Sequence, residues 1–223
     1  MKIARRFVLP RDLAAARRLQ ERLRRRIVLR GGPRRVRLVA GADLAYRGDG
    51  AWAWAAVALL ALPGLEVVET AWAEGRPPFP YVPGFLTFRE GPLLLEAFRR
   101  LRREPDLILL DGAGLAHPRG FGLACHIGWV LDRPTVGCAK SVLVGEYREP
   151  ARSRGAWTPL RLGGRTVGAA FRTRRGVQPI FVSPGHRIGL PAARRWVLAE
   201  TPRYRVPEPI RQAEQLVNRL RDS

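Results

Sequence analysis

The sequence predicts an α/β protein on a mixed sheet, with three antiparallel strands followed by parallel ones, flanked by helices. Two observations carry that expectation. Three strand-like runs, 36–46, 51–62 and 65–73, are joined by the short turns Gly48-Asp49-Gly50 and Pro63-Gly64, the pattern of an antiparallel meander. From residue 90 the pattern changes to helical segments alternating with short apolar runs, as in parallel crossovers with both sheet faces covered. The 223 residues suit one domain over 1–223, with an Arg-rich N-terminal helix at about 10–30.

The elements follow in order. Pro10-Arg11-Asp12 opens a helical pattern with Leu13, Ala16, Leu19, Leu23 and Ile27 on one face and arginines on the others; Gly31-Gly32-Pro33 closes it. After the three strands, Pro77, Pro78, Pro80 and Pro83 stiffen a loop. Residues 90–103 read as a helix with Leu93, Leu94, Ala97, Phe98 and Leu101 apolar. Residues 107–110, all apolar, suit a buried strand that ends at Asp111-Gly112. A glycine-rich stretch leads to a helix over 123–131 and a strand over 134–138. Further on, 166–172 and 179–182 are expected as strands, 191–200 and 208–221 as helices.

Composition narrows the class. Hydrophobic residues are 46% and charged residues 26%, an ordinary globular balance. No apolar run reaches the roughly 18 residues of a membrane span. The basic start, residues 1–6, precedes an apolar stretch too short for a signal peptide, so a cytoplasmic location is expected. Cys125 and Cys138 alone make neither a disulfide framework nor a zinc-ligand spacing, and both read as small core residues, as does His126.

Charge is the strongest global signal. Lys and Arg number 40 against 19 Asp and Glu, a net of +21 with a pI near 11.7. That excess favours a polyanion, nucleic acid above all, through phosphate neutralisation. It is unevenly placed: residues 1–37 carry 14 basic and 2 acidic groups, 38–111 carry 7 and 10, and 112–223 carry 19 and 7. A metal-dependent nuclease needs such a carboxylate-rich middle between cationic flanks. Only Lys2 and Lys140 are lysines, and a compact ammonium suits tight sites that reject the planar guanidinium.

Three carboxylates are candidates for hard-cation ligands from three separate elements. Asp43 sits inside an apolar strand, where a lone charge costs several kcal/mol. Asp111 ends an apolar strand, where ligands of α/β sheets bind, though it also suits a turn before Gly112. Glu90 opens a predicted helix, where it would equally complement the N-terminal dipole.

At these residues the sequence resembles the endonuclease V family. Residues 39–46 (Val-Ala-Gly-Ala-Asp-Leu-Ala-Tyr) resemble its first strand. Residues 80–90, from Pro80-Tyr81-Val82-Pro83-Gly84 to Glu90, resemble its wedge loop and second carboxylate. Asp111-Gly112-Ala113-Gly114 with residues 117–124, then 137–141 and 182–188, resemble three further blocks, in the family's order over roughly residues 10 to 218.

The resemblance implies an RNase H-like fold. It also implies an Mg²⁺-dependent endonuclease, with Mn²⁺ as a substitute, that nicks DNA at deaminated purines such as deoxyinosine. Cleavage is expected at the second phosphodiester 3′ to the lesion, leaving 3′-hydroxyl and 5′-phosphate ends, as a step in DNA repair. Asp43, Glu90 and Asp111 are expected as metal ligands. Lys140 is expected at the scissile phosphate, and His117 as a proton shuttle or water-orienting group. Glu214 stands where the family usually has Asp or His, and is a possible fourth ligand or a solvated helix residue. Tyr81, framed by Pro80, Val82 and Pro83, is the expected wedge. Gly84, Leu86, Gly112, Leu123 and Gly137 are the expected base pocket. Ser183 and His186 match a block without an assigned chemistry and are expected in a loop that braces the site. The alternatives are an inosine-specific endoribonuclease and a non-catalytic basic nucleic-acid-binding protein. A monomer is expected, with DNA or inosine-containing RNA as partner and no membrane.

Overall fold

The structure, a computed structural model, describes residues 1–223. The chain order is α1 (Leu13–Arg24), β1 (Leu38–Tyr46), β2 (Ala53–Ala61), β3 (Glu66–Gly75), α2 (Leu86–Arg100), β4 (Leu107–Leu110), α3 (Leu123–Leu131), β5 (Thr135–Ala139), β6 (Trp157–Leu162), β7 (Arg165–Phe171), β8 (Ile180–His186), α4 (Leu190–Ala199) and α5 (Glu208–Asp222). No helix is long and apolar enough to cross a membrane.

The eight strands form one mixed sheet in the order β3-β2-β1-β4-β5-β8-β7-β6. The meander β1–β3 is antiparallel, and β1, β4 and β5 are parallel, as the pattern predicts. The sheet then departs from the expectation, because β8, β7 and β6 add a second antiparallel wing beyond β5. β6 escapes the sequence reading: Trp157 and Thr158 invert the alternation that Leu160, Arg161 and Leu162 keep, and Pro159 counts against a strand, although an edge strand tolerates it.

Two apolar layers sandwich the sheet. Strand side chains alternate between faces. Ala40, Ala42, Ile108 and Leu110 meet α2 and α3 on one face. Val39, Leu109, Val136 and Cys138 meet α4 and α5 on the other. Helix α1 packs outside α2 on Phe79, Phe85, Phe88, Phe121 and Cys125.

Two helix boundaries correct the sequence reading. Helix α1 stops at Arg24 rather than near residue 30, because tertiary bonds take over: the Val28 N–H donates to His186 Nδ1, and the Gly189 N–H to the Gly31 carbonyl. Helix α2 begins at Leu86, so Glu90 lies in its second turn rather than at its start. Its burial is therefore not explained by the N-terminal dipole, which falls off within the first turn.

Candidate active site

Parallel β1, β4 and β5 bring their C-terminal ends to one edge. Ala42 pairs with Leu110 and Leu110 with Gly137, so Asp43 stands beside Asp111 and Lys140 follows just past β5. Helix α5 closes over this edge because Gly41 has no side chain: a Cβ there would lie 1.9 Å from the Pro209 carbonyl carbon. That close approach delivers Glu214. The Lys140 ammonium lies 3.1 Å from Asp111 Oδ2 and 2.8 Å from Glu214 Oε1. Glu90 arrives from α2 and accepts a 2.9 Å hydrogen bond from the Tyr46 hydroxyl. Arg89 stacks on that same tyrosine ring, its guanidinium carbon 4.8 Å from the centroid.

The electrostatics of this cluster are unfavourable without more positive charge. Burial and the Asp111 charge push the Asp43 carboxyl up to about 7, against help from the Leu44 N–H and Lys140. Burial pushes Glu90 up to about 8; its bond from Tyr46 opposes this, and Asp43 and Asp111 add to it. Burial also raises Asp111, with Lys140 opposing. Lys140 itself is lowered by burial, but its pairs with Glu214 and Asp111 outweigh that and hold it above the usual lysine range. Hard oxygen donors from three elements, short of positive charge, fit a hard divalent cation. No three His, Cys, Asp or Glu side chains lie as a ready chelate, since Asp111 and Glu214 turn to Lys140 and Glu90 to Tyr46.

Beside the carboxylates opens a mainly apolar cavity. Val82, Pro83, Gly84, Leu86 and Thr87 form one wall; Ala113, His117, Gly122 and Leu123 form the other, with Leu143 at the rim. Gly84, Leu86 and Leu123 are thus on the cavity wall. Gly112 and Gly137 are not; they make the wall possible. A Cβ on Gly137 would lie 2.5–2.7 Å from backbone atoms of Gly112, Ala113 and Gly114, so its absence lets that segment cross β5 and present Ala113. Gly112 takes a left-handed φ of +137° that turns the chain away from β4.

Tyr81 stands at the cavity mouth with 69% of its surface exposed, so it is not packed beneath its loop. Pro80 is exposed and off the cavity wall, while Val82 and Pro83 line it. His117 reaches the cavity, but both ring nitrogens have backbone partners. Nδ1 accepts from the Arg119 N–H at 3.2 Å, so Nε2 carries the hydrogen and donates to the Gly84 carbonyl at 2.9 Å. Burial lowers its pKa to about 4, with Arg119 adding to the effect, so the ring is neutral near pH 7. These bonds leave no free nitrogen for the proton shuttle expected from the sequence.

Ser183 and His186 lie in strand β8 rather than in a loop. The Ser183 hydroxyl accepts from the Gly114 N–H at 2.8 Å and fixes the segment behind the cavity. His186 instead faces Val28 and Asp132, the residue that caps the C-terminal end of α3. His126 is fully buried among Phe7, Phe88 and Phe121, a core position as read. Sequence reasoning missed Tyr46, Arg89, Arg119, Ser183's contact and Gln20. For Gln20 a signal existed: it is the one polar residue on the stripe Ala16, Leu19, Gln20, Leu23.

Comparison with known proteins identifies the family and the fold. The family model described as endonuclease V matches residues 21–215. Endonuclease V of Roseiflexus sp. (strain RS-1) is 51% identical over 209 residues, covering 94% of this chain and 93% of its own. The solved endonuclease V of Streptomyces avermitilis superposes with a TM-score of 0.91 at 42% identity, covering 99% of this chain and 97% of its own. Endonuclease V of Ciona intestinalis, solved with a 23mer DNA containing an inosine followed by a ribo-adenosine, superposes with a TM-score of 0.82 at 27% identity. It covers 94% of this chain and 97% of its own. The chain belongs to the endonuclease V family.

Proposed function

We propose that this protein is a metal-dependent endonuclease that nicks DNA at deaminated purines, deoxyinosine foremost. The cut falls at the second phosphodiester 3′ to the lesion and leaves 3′-hydroxyl and 5′-phosphate ends, an entry step in DNA repair. One observation carries the reading: Glu90 sits one turn along α2 from Leu86, and Asp111, paired with Lys140, sits two residues before Ala113, so the carboxylates share their elements with the walls of an apolar cavity whose mouth holds an exposed, proline-framed tyrosine. A relative's complex with inosine-containing DNA supports the same substrate.

Asp43, Glu90 and Asp111 would hold Mg²⁺, or Mn²⁺ in its place, with Glu214 as a fourth oxygen donor once Lys140 releases it. The ion supplies positive charge at the scissile phosphate and a more acidic attacking water. Lys140 places an ammonium on the phosphate oxygens as negative charge grows there. Tyr46 holds Glu90 in place through its hydroxyl. Tyr81 enters the stack at the vacated position when the lesion base turns out. The cavity wall reads the base with backbone groups around Gly84 and Ala113. Hypoxanthine offers a 6-oxo acceptor and an N1–H donor. Adenine reverses that pattern, so it leaves polar groups unpaired.

The ribonucleotide after the inosine in the Ciona complex favours inosine-containing RNA as a second reading. A non-catalytic binder fits poorly, because carboxylates facing phosphate would only weaken binding. A labelled duplex with one deoxyinosine, an undamaged duplex and an inosine RNA, each with and without Mg²⁺, test these readings together. One metal-dependent nick near the lesion in the DNA alone supports the proposal. Cleavage of RNA alone supports the second reading, and no cleavage of any substrate overturns both.

A further inference from the structure

We infer that Gln20 of α1 is a positioning residue for the Tyr81 loop: its buried amide clamps the Gly84 backbone, and so makes that loop stiff enough to open a duplex. The inference deepens the proposed function and rests on it for the role of Tyr81.

Gln20 is fully buried on an otherwise apolar helix stripe. A polar amide there costs free energy unless it is fully partnered, and a leucine would serve packing alone. All its partners belong to the two loops around the cavity. Nε2 donates to the Gly84 carbonyl at 3.1 Å and to the Phe121 carbonyl at 3.4 Å, while Oε1 accepts from Arg119 Nε. Arg119 also donates from Nη2 to the Gly84 carbonyl and lies flat on Phe85, its guanidinium carbon 4.1 Å from the ring centre. With the bond from His117, three side chains converge on one carbonyl that has two lone pairs. Gly84 is the hinge of the loop, at φ +79°, and a Cβ there would meet Arg119 Nη2 at 2.8 Å.

The other end of the loop is tied separately, where Arg89 Nη1 donates to the Phe79 carbonyl at 2.9 Å. Residues 80–83 are thus strung between two clamps. Tyr81 is mostly exposed, so its rigidity as a wedge comes from these clamps and the prolines rather than from its own burial. Helix α1 thereby has a task beyond its arginines: it is the frame against which the loop is braced.

The test compares Gln20→Met, which keeps the length and loses every polar contact, with Gln20→Glu, which keeps the acceptor for Arg119 and loses the donor to Gly84. For each, kcat and KM are measured on deoxyinosine in a duplex and in the same sequence single-stranded, where no stack has to be opened. Both variants are expected to lose about 10- to 100-fold in kcat on the duplex and about fivefold less than that on the single strand, where Gly84 still faces the base but no stack has to be opened. The single-strand rate also reports that each variant is folded. Equal loss on both substrates, or an unchanged duplex rate, overturns the inference. Hydrogen exchange of the free protein decides the clamp independently of any cleavage. Faster exchange at Phe85, whose N–H donates to the Val82 carbonyl within the loop, with α2 unchanged, supports it; unchanged exchange overturns it. Wild-type protein that cuts neither substrate refutes the proposed function and leaves the exchange result standing.

Discussion

Replacing Lys140 separates two uses of one charge. In the free protein its ammonium pairs with Asp111 and Glu214 at a partly exposed position, the side chain 40% accessible. Such pairs contribute about 1 kcal/mol or less to stability, about 2–4 °C in Tm for a chain this long. On the proposed function, with a phosphate seated and water displaced, the same charge would stabilise the transition state by about 3 kcal/mol, which is about 100-fold in kcat. Lys140→Met is therefore expected to melt within a few degrees of the wild type while losing about 100-fold in kcat on a deoxyinosine duplex. Lys140→Arg tests the demand for a point charge: a guanidinium fork between Asp111 and Glu214 cannot also reach the phosphate as a compact donor, so it should not restore the rate. The assay is single-turnover nicking with saturating metal, run beside thermal unfolding. A Lys140→Met rate within threefold of wild type would refute the catalytic role, and full rescue by arginine would refute the point-charge argument.

Three further predictions concern stability. Asp132 accepts from Arg187, Arg5 and His186; burial pushes its carboxyl up, but these bonds outweigh it and hold it at about 2. Its contribution is present above the ordinary value of 3.8 and fades as pH falls towards 2, and after allowance for solvent exposure it amounts to about 1 kcal/mol. Asp132→Asn tolerates the left-handed φ of 56°, so its stability deficit at pH 7 should shrink to nothing near pH 2; a pH-independent deficit in urea titrations contradicts this. Gly41→Ala should cost about 3 kcal/mol or more, because the new methyl meets α5 backbone rather than a movable side chain; a smaller loss by denaturant titration would mean that α5 shifts freely. Glu200 is fully buried with both carboxylate oxygens unpaired, and burial holds it well above the ordinary range. Glu200→Met should raise stability at pH 7 by about 1–3 kcal/mol, read from the urea midpoint, and a destabilised variant would reject this.

What the sequence disclosed follows from how local each signal is. Strand β4 was legible to the residue because it is a continuous apolar run bounded by turn residues, and helix α3 because it lies between Gly122 and Asp132 with His126 as its one polar side chain. Asp43 and Asp111 stood out for the same reason, as charges within or against apolar strands. Strand β6 was not legible, since an edge strand buries too little to impose a pattern. The end of α1 was lost because the bonds that stop it come from His186 and Gly189, more than 150 residues away in the chain. His117 suggests proton chemistry as an isolated residue, whereas the two backbone bonds to its ring tie it to Gly84 and Arg119. The glycines divide in the same way. Gly84 was recognisable within a motif, but the role of Gly137 depends on a crossing segment that local reading does not reveal.

The placement of charge ties these observations into one physical account. The strand register sets Asp43 against Asp111, and the missing side chain of Gly41 draws Glu214 in over them, so the fold holds its carboxylates together against their own repulsion. A polyanion approaching such a pit would be repelled if it were the only charge it met. It is not, because the chain carries a net +21, and 33 of its 40 basic residues lie outside the 38–111 stretch that holds Asp43, Glu90 and Asp111. On the proposed function, the arginines dominate and attract at a distance, and the carboxylates would act on the backbone only at contact, within a few ångströms. Binding and cutting would then use charges of opposite sign on different length scales. Raising the salt should therefore weaken capture of a nucleic acid far more than it slows the cleavage of one already bound.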